Sequence, residues 1–424
     1  MSGGCPAPPS LWRVSGLPRI LAVGSLLNAT AFFAALPFGA LYLDEYTGLG
    51  KPAIGAVVGS IALIGAVGGV GGGMVVDRFG ATRLMRAGLG LTVGIYLLLS
   101  VIRAERGIVI LFVLLGVARL LVEPSAKKLL SIAGGEDGRI FRLRYMTLCA
   151  GAILGPLMGG VLYHASIVAF FLVPAVFYSC YLLLISLRAG QLNSLEQGSA
   201  QPVGYPFGET LRDRRLLAAI AAGVVIFFVF SQLESMVPLV MRDHYGDNTE
   251  SLFALLLVGN AILALLLQSP IDRLSARLRQ RTLVLLGCAA FAVSFGLFGA
   301  MSISLIWLYF GILFWTIGEG ILLPMPDIAV HQIAQDDRKG AYFGLAELRY
   351  AGFFAGPIAG GWLLAYGGVY FLVMAVAIVA CVPFLSRQPR VGTDGDVAPA
   401  EPMAEELIGL DTPGAAVQKV AKSD

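Results

Sequence analysis

The sequence predicts an all-α polytopic membrane protein whose twelve transmembrane helices form two similar halves of six. Three observations support this fold class. The 424-residue chain is 57% hydrophobic and 13% charged, with a mean hydropathy of +0.80, whereas about a quarter of the residues of a soluble domain are charged. Apolar stretches of about 20 residues, long enough to cross a bilayer as helices, recur along the chain. A glycine and proline pattern from the first half returns in the second half.

The predicted spans divide the chain into five regions. Residues 1–18 form a cytoplasmic N-terminal segment without the apolar core of a signal peptide, followed by an N-terminal half over 19–187. Residues 188–215 carry glycine, serine, proline and charges, which predicts a linker before the C-terminal half, 216–386. The tail, 387–424, is rich in proline, alanine, glycine and acids and is predicted to be disordered. The spans are predicted at 19–43, 53–76, 84–103, 107–130, 145–164, 166–187, 216–241, 251–271, 282–300, 303–328, 343–366 and 369–386.

Lysine and arginine are distributed unequally between alternate loops. If the N-terminus is cytoplasmic, 24 of the 30 basic residues lie on the cytoplasmic side and four on the other, while Arg119 and Arg349 lie within spans. Short loops with an excess of lysine and arginine remain in the cytoplasm. The sequence therefore predicts that both termini and the linker are cytoplasmic.

A charged segment separates spans 2 and 3. It reads Gly73-Met-Val-Val-Asp77-Arg78-Phe-Gly80-Ala-Thr-Arg83 and is predicted to form a turn at a membrane face, because charges are costly in hydrocarbon. The segment resembles the loop between helices 2 and 3 of the major facilitator superfamily. Ala81 stands where the family has a basic residue, and Arg83 is the candidate substitute. The resemblance implies the major facilitator fold and a cytoplasmic gate formed by Gly73, Asp77, Arg78, Gly80 and Arg83.

Spans 5 and 11 share a pattern of glycine and proline. The span 5 sequence Gly151-Ala-Ile-Leu-Gly155-Pro156-Leu-Met-Gly159-Gly160 has its glycines and proline repeated 201 residues later. Glycines four residues apart line one helix face and allow close approach of another helix. The pattern resembles that of drug–proton antiporters in the superfamily, which implies a role in conformational exchange, with plain helix packing as the alternative. The helix-packing candidates are Gly151, Gly155, Pro156, Gly159, Gly160, Gly356 and Pro357.

Four ionisable residues lie deep within the predicted spans, where charge is costly and usually functional. Arg119 and Glu123 are one turn apart in span 4, and Glu234 lies in the outer half of span 7. Glu319 lies about 24 Å from the outer end of span 10, at about 1.5 Å per residue. Arg119 resembles an antiporter arginine, and Glu319 resembles the acid in a Gly-Glu-x-x-x-x-Pro pattern of bacterial drug exporters. These residues are candidates for proton coupling, with Glu234 or Glu319 as the carrier. A self-neutralising Arg119–Glu123 pair and a structural charge network at Glu319 are the alternatives.

Spans 1, 4, 7 and 10 line a central cavity in the superfamily, so the resemblance implies that their polar residues face the substrate. Besides the charged candidates, Asn28, Gln232 and Trp315 are predicted to line this cavity. Phenylalanines accompany them in spans 1 and 7. Aromatic walls with a few acids suit amphipathic organic molecules, including cations.

The resemblance implies a secondary active transporter that works by alternating access of its two halves. We expect proton-coupled efflux of small amphipathic compounds, as in multidrug resistance. Export of a self-made metabolite, such as a siderophore or an antibiotic, is an open alternative. Uptake by proton symport, for example of peptides or sugars, is less favoured. The peptide transporters of the superfamily carry a glutamate-rich ExxER signature in span 1, whereas span 1 here holds Asn28 and no acidic residue before Asp44. A transporter-like receptor or membrane scaffold would predict a large soluble domain, and the sequence has none.

An enzyme is not expected, because no nucleophile–base set, P-loop or metal-ligand cluster is recognisable. The five cysteines are scattered and predict neither a disulfide nor a metal site. The energy source is expected to be the proton gradient, without a cofactor. The expected partners are a small-molecule substrate, protons and the lipid of a bacterial inner membrane, with the chain acting as a monomer. Nucleic acid is not expected, since the basic residues are spread over loops rather than gathered in a patch.

Overall fold

A computed structural model describes residues 16–134, 139–198, 210–334 and 339–385, and this part of the chain is almost entirely helical. Nine of its stretches have the length and hydropathy of a membrane span, and one of these, Arg214–Ser275, contains two successive helices. Two further interrupted helical segments near the C-terminus bring the number of spans to twelve. The spans are Leu17–Tyr46, Lys51–Phe79, Ala81–Val101, Glu105–Gly134, Arg139–Ala165, Ile167–Leu187, 214–245, Thr249–Arg277, Gln280–Gly299, Leu305–Ile333, 339–366 and Val369–Leu385.

Most helices extend several residues beyond the predicted apolar stretches. Span 10, for example, ends at Ile333 rather than near residue 328, and span 5 begins at Arg139 rather than near 145. The polar ends of a helix can continue past the hydrocarbon layer, where hydropathy no longer marks them. The tail predicted at 387–424 lies outside the described residues, as do residues 1–15 of the N-terminal segment.

The predicted turn between spans 2 and 3 is shorter than the sequence indicated. The helix of span 2 continues through Arg78 to Phe79, and Gly80 alone breaks it with a φ of 87°. Glycine reaches this left-handed conformation without steric cost, and the Gly80 N–H donates to the Val76 carbonyl at 2.9 Å. Arg78 and Arg83 are exposed, whereas the side chain of Asp77 and the surroundings of Gly73 lie outside the described part of the structure.

Spans 1, 7 and 10 are interrupted part-way along their length. A short 3-10 segment, Leu36–Phe38, breaks span 1 at Pro37, and span 7 changes helix after Phe230 and again before Val237. Span 10 is broken between Leu322 and Met325, next to Pro324. Proline removes a backbone donor and clashes with the preceding turn, which explains the breaks beside proline residues. The interruptions lie in three of the four spans predicted to line the central cavity.

The predicted linker contains a helix, Ala189–Gly198, that docks on the N-terminal half. The Glu196 carboxylate accepts hydrogen bonds from the backbone N–H groups of Ala81, at 2.6 Å, and Thr82, at 3.1 Å. The Thr82 hydroxyl donates to the same carboxylate at 2.8 Å. An acid at this position satisfies otherwise unpaired donors of span 3 and interacts favourably with the helix dipole. We call the membrane face that carries this helix the linker face and the other face the opposite face.

Replacing Glu196 with alanine is expected to destabilise the docked linker helix. Loss of a capping acceptor costs about 0.5–2 kcal/mol, so the thermal midpoint of the purified protein should fall. Ser194→Ala on the same helix is the matched control, because within the described part of the chain the Ser194 hydroxyl donates to the Gly190 carbonyl of its own helix and to no other group. Equal melting curves for the two variants would show that the Glu196 contacts contribute nothing to stability.

The glycines of span 5 pack on span 1. A Cβ at Gly151 would lie 2.5 Å from the Ala29 Cβ, and one at Gly155 would lie 2.6 Å from the Phe33 Cβ. Gly352 and Gly356 of span 11 meet the backbone of span 7 in the same way. The predicted small-residue faces therefore join neighbouring helices within each half.

Each series ends in a glycine doublet that faces two ways. In span 5, Gly159 packs on Ala34 of its own half, whereas a Cβ at Gly160 would lie 2.7 Å from the Ala254 Cβ of span 8. In span 11, Gly360 packs on span 7 of its own half. A Cβ at Gly361 would lie 2.5 Å from the Pro52 nitrogen of span 2. The second glycine of each doublet thus brings the two halves together near the opposite face.

Candidate functional site

A cavity of about 860 Å³ lies between the halves. Its described lining comes from spans 1, 2, 4 and 5 of the N-terminal half and from spans 7, 8, 10 and 11 of the other half. The volume falls within the range of small-molecule binding sites. Seven aromatic side chains contribute to the walls: Phe32, Phe33, Phe227, Phe230, Phe343, Tyr350 and Phe353.

An ion network closes the cavity at the opposite face. Arg242 of span 7 pairs with Glu45 of span 1 at 2.8 Å and lies 3.5 Å from Glu250 of span 8. The Tyr163 hydroxyl of span 5 donates to the same Glu45 carboxylate at 2.9 Å. Arg242 also donates to the Leu41 carbonyl at 3.3 Å. The guanidinium of the C-terminal half is therefore held by acceptors from both halves.

A second pair crosses between the halves at the same face. The Lys51 Nζ lies 2.6 Å from a carboxylate oxygen of Asp243, whose side chain is 57% exposed. Because water screens such a pair, it stabilises the contact less than the more buried Arg242 network does. These pairs and the tight glycine contacts seal the opposite face.

The described ion pairs toward the linker face lie within each half. Arg144 of span 5 pairs with Glu123 of span 4 at 3.1 Å, and Arg349 of span 11 pairs with Asp327 of span 10. The cavity lining continues past these pairs to Lys127 and Phe343, near the ends of spans 4 and 11. The cavity is thus closed at the opposite face and extends toward the linker face.

The structure brings the four proton-coupling candidates together, since all of them line the cavity. The Arg119 guanidinium lies over the ring of Phe32, 4.2 Å from the ring centroid. In the described residues Arg119 has no hydrogen bond or ion pair. Glu123, one turn away, is paired instead with Arg144. The alternative of a self-neutralising Arg119–Glu123 pair is therefore not the arrangement in this conformation.

The two acids of the other half have different surroundings. Among the described residues, Glu234 has no hydrogen-bond or ion-pair partner. Glu319 accepts a hydrogen bond from the Asn260 amide at 3.1 Å, and the Asn260 carbonyl lies 2.6 Å from the Thr316 hydroxyl. Sequence analysis missed Asn260, although a single asparagine within an apolar span is a signal that could have identified it.

Three predicted cavity residues lie elsewhere. Gln232 is fully buried; its amide donates to the Phe228 carbonyl at 3.0 Å, and its side-chain oxygen accepts from the Tyr370 hydroxyl at 3.1 Å. Trp315 has no exposed surface and packs among phenylalanines, with its ring 4.8 Å from that of Phe291. Asn28 lines a small side pocket next to the cavity. Helix position alone does not determine which face of a span turns toward the cavity, so Gln232 and Trp315 were placed wrongly.

Comparison with known proteins agrees with this architecture. The family model of the Major Facilitator Superfamily matches residues 21–348 and 247–410. A point mutant of the nucleoside transporter NupG superposes with a TM-score of 0.73 at 12% identity, covering 88% of this chain and 99% of that structure. An auto-inhibited peptide transporter of the POT family superposes with a TM-score of 0.72 at 13% identity, over 90% and 98% of the two chains. At such identities the structures show a shared fold.

Sequence relatives cover most of the chain. The uncharacterised MFS-type transporter YqjV of Bacillus subtilis is 30% identical over 88% of this chain and 94% of its own length. The multidrug resistance protein MdtH of Klebsiella pneumoniae is 26% identical over 82% and 86%. A Na(+), Li(+), K(+)/H(+) antiporter of Planococcus maritimus is 23% identical over 87% and 94%. The chain therefore belongs to the Major Facilitator Superfamily and is a multi-pass membrane transporter, not an enzyme.

Proposed function

We propose that the protein is a proton-coupled exporter of small amphipathic organic compounds. The observation that carries this proposal is a cavity between the halves with aromatic walls and two carboxyls, Glu234 and Glu319, that are not neutralised by an ion pair in the described residues. The relatives that include a multidrug resistance protein and a cation/H(+) antiporter support the same activity class.

The direction of transport follows from the orientation that we propose. The excess of lysine and arginine places the linker face in the cytoplasm, so the cavity would load substrate from the cytoplasm. Release then requires the contacts at the opposite face to open and those near the linker face to close. Two halves that rock around a fixed central site perform this exchange.

Coupling would arise from competition at the cavity acids. A carboxyl group cannot hold a proton and pair with a cationic group at the same time, since protonation removes its charge. Proton entry from outside would therefore displace the substrate, and proton release to the cytoplasm would restore the binding site. Glu234 and Glu319 are the proposed carriers. Arg119, with a guanidinium that has no ion-pair partner among the described residues, would favour proton release when it approaches one of them.

Replacing either carrier with glutamine should weaken the binding of cationic substrates, because the side chain loses its charge, and should remove gradient-driven accumulation. The measurement is uptake by inside-out vesicles with an acidic interior, screened against permanently charged aromatic cations, drugs and siderophores. Asp247→Asn, which removes an exposed acid at the opposite face, is the matched control. A protonophore should abolish uptake by the wild type. Undiminished, pH-dependent uptake by both Glu234→Gln and Glu319→Gln would move the carrier to another residue.

A further inference from the structure

The charges around the cavity are sorted between the two halves. In the N-terminal half, Glu123 is already paired with Arg144, which leaves Arg119 and the exposed Lys127 as an excess of positive charge. The Arg119 guanidinium stacks face-on against Phe32. A guanidinium that is stacked on a ring through its face can still donate hydrogen bonds from the N–H groups at its edge. Two of these N–H groups can bind two oxygens of a carboxylate or a phosphate at once.

The C-terminal half presents the opposite charge to the same space. Glu234 and Glu319 line the cavity, and within the described residues neither is in an ion pair. The third acid of this wall, Glu347, lies 3.5 Å from Arg349 and is therefore partly compensated. One wall of the cavity is accordingly cationic, and the other is anionic.

A side pocket extends the cationic wall with neutral polar groups. It is lined by Arg119 and by Glu123, which is paired with Arg144, together with Asn28, Thr92, Tyr96 and Tyr178. Amide and hydroxyl groups donate hydrogen bonds to anionic oxygens. The pocket therefore adds the amide of Asn28 and the hydroxyls of Tyr96 and Tyr178 as donors beside Arg119, which has no ion pair in the described residues.

We propose that the preferred substrates are zwitterions, with an anionic group bound by Arg119, a cationic group bound by Glu234 and Glu319, and an aromatic body between them. This inference rests on the proposed transport function and specifies its substrate class. A simple organic cation would leave Arg119 uncompensated inside the membrane, and a simple anion would leave the two glutamates uncompensated. A ligand that leaves a buried charge of the site without a partner binds more weakly, because that charge has lost its water and gained no compensating contact.

A rigid set of three probes tests the charge sorting. The zwitterion 6-aminomethyl-2-naphthoic acid carries its charges at opposite ends of an aromatic body. The compounds 2-naphthylmethylamine and 2-naphthoic acid retain only the cation or only the anion. Binding to the purified full-length protein is measured from naphthalene fluorescence. The wild type should bind the zwitterion about 10- to 100-fold more tightly than either single-charge probe, as expected for one lost charged hydrogen-bonding contact.

The variants separate the two walls. Arg119→Gln should weaken the zwitterion and the anion about tenfold or more and leave the cation unchanged or improved. The double variant Glu234→Gln/Glu319→Gln should weaken the zwitterion and the cation in the same way and spare the anion. Arg119→Lys should retain part of the affinity for the zwitterion. Arg86→Gln and Asp247→Asn, which remove exposed charges away from the cavity, are the matched controls.

Two results would overturn the assignment: equal wild-type affinity for the zwitterion and the amine, or an Arg119→Gln variant that loses all three probes alike. A melting curve of each variant shows whether the second result reflects misfolding. For a folded Arg119→Gln variant, the assignment is overturned when Arg119→Lys also fails to recover any affinity for the zwitterion. Failure of the transport proposal is a separate outcome. In that case the probe pattern holds, yet no pH gradient drives accumulation of the zwitterion in vesicles.

Discussion

Replacing Gly361 with leucine is expected to abolish transport and to hold the protein open at the face opposite the linker. Even a Cβ at this position would lie 2.6 Å from the backbone carbonyl of Lys51, in the other half. Backbone atoms of a helix cannot move aside as the end of a flexible side chain can, so the halves must separate. Gly160→Leu, against Ala254 of span 8, should act in the same direction.

Cysteine accessibility measures this change. In a background without native cysteines, a cysteine at Phe33 in the cavity should become reactive to an impermeant reagent applied from the opposite face. Gly296→Leu in span 9 is the matched control, because the residue is exposed and a Cβ added there would meet nothing within 4 Å. Normal transport by Gly361→Leu, with unchanged labelling at Phe33, would contradict the role of the doublet in closure.

Removing the charge of Arg242 is expected to shift the same equilibrium by a smaller amount. The Arg242 side chain is 20% exposed and is held by Glu45 of the other half. Charged hydrogen bonds of this kind contribute about 1.5–3 kcal/mol, so Arg242→Gln should raise the open fraction at the opposite face about tenfold or more. Because Glu45 lies in the other half, the lost contact destabilises only the closed conformation of that face.

A double-mutant cycle isolates the contact. If Arg242 and Glu45 act through each other, then Arg242→Gln, Glu45→Gln and the double variant should show similar shifts in labelling. Lys51→Gln is the matched comparison, since its partner Asp243 is largely exposed and such a pair contributes at most about 1 kcal/mol. Additive effects in the cycle, or an effect of Lys51→Gln as large as that of Arg242→Gln, would show that Arg242 does not act through Glu45.

The apolar stretches of the sequence were sufficient to locate residues along each helix, but they did not show which face of the helix a residue occupies. Arg119, Glu123, Glu234 and Glu319 were predicted from their depth in the spans, and all four line the cavity. Trp315 has a similar depth, yet its side chain points into the aromatic core of the C-terminal half. In lipid both faces of a span are apolar, so hydropathy does not distinguish the face that packs on a neighbour from the face that lines a cavity.

The sequence also did not predict which residues on different helices form ion pairs or hydrogen bonds with each other. Spacing on one helix suggested that Glu123 pairs with Arg119, whereas its partner is Arg144 of the next span. The hydrogen bonds of Glu196 to the start of span 3 bridge 115 positions in the chain. Contacts of this range depend on how helices assemble, because local periodicity relates only residues on the same element.

The membrane class, the twelve spans and the repeated glycine pattern could be established from the sequence alone, because bilayer thickness and the cost of buried charge act on each segment separately. Only the assembled helices show what each glycine of a doublet touches, which arginine neutralises Glu123, and that the remaining charges sort into a cationic and an anionic wall. These properties belong to the arrangement of the two halves. They depend on the rotation and tilt of each helix, which packing against neighbouring helices sets.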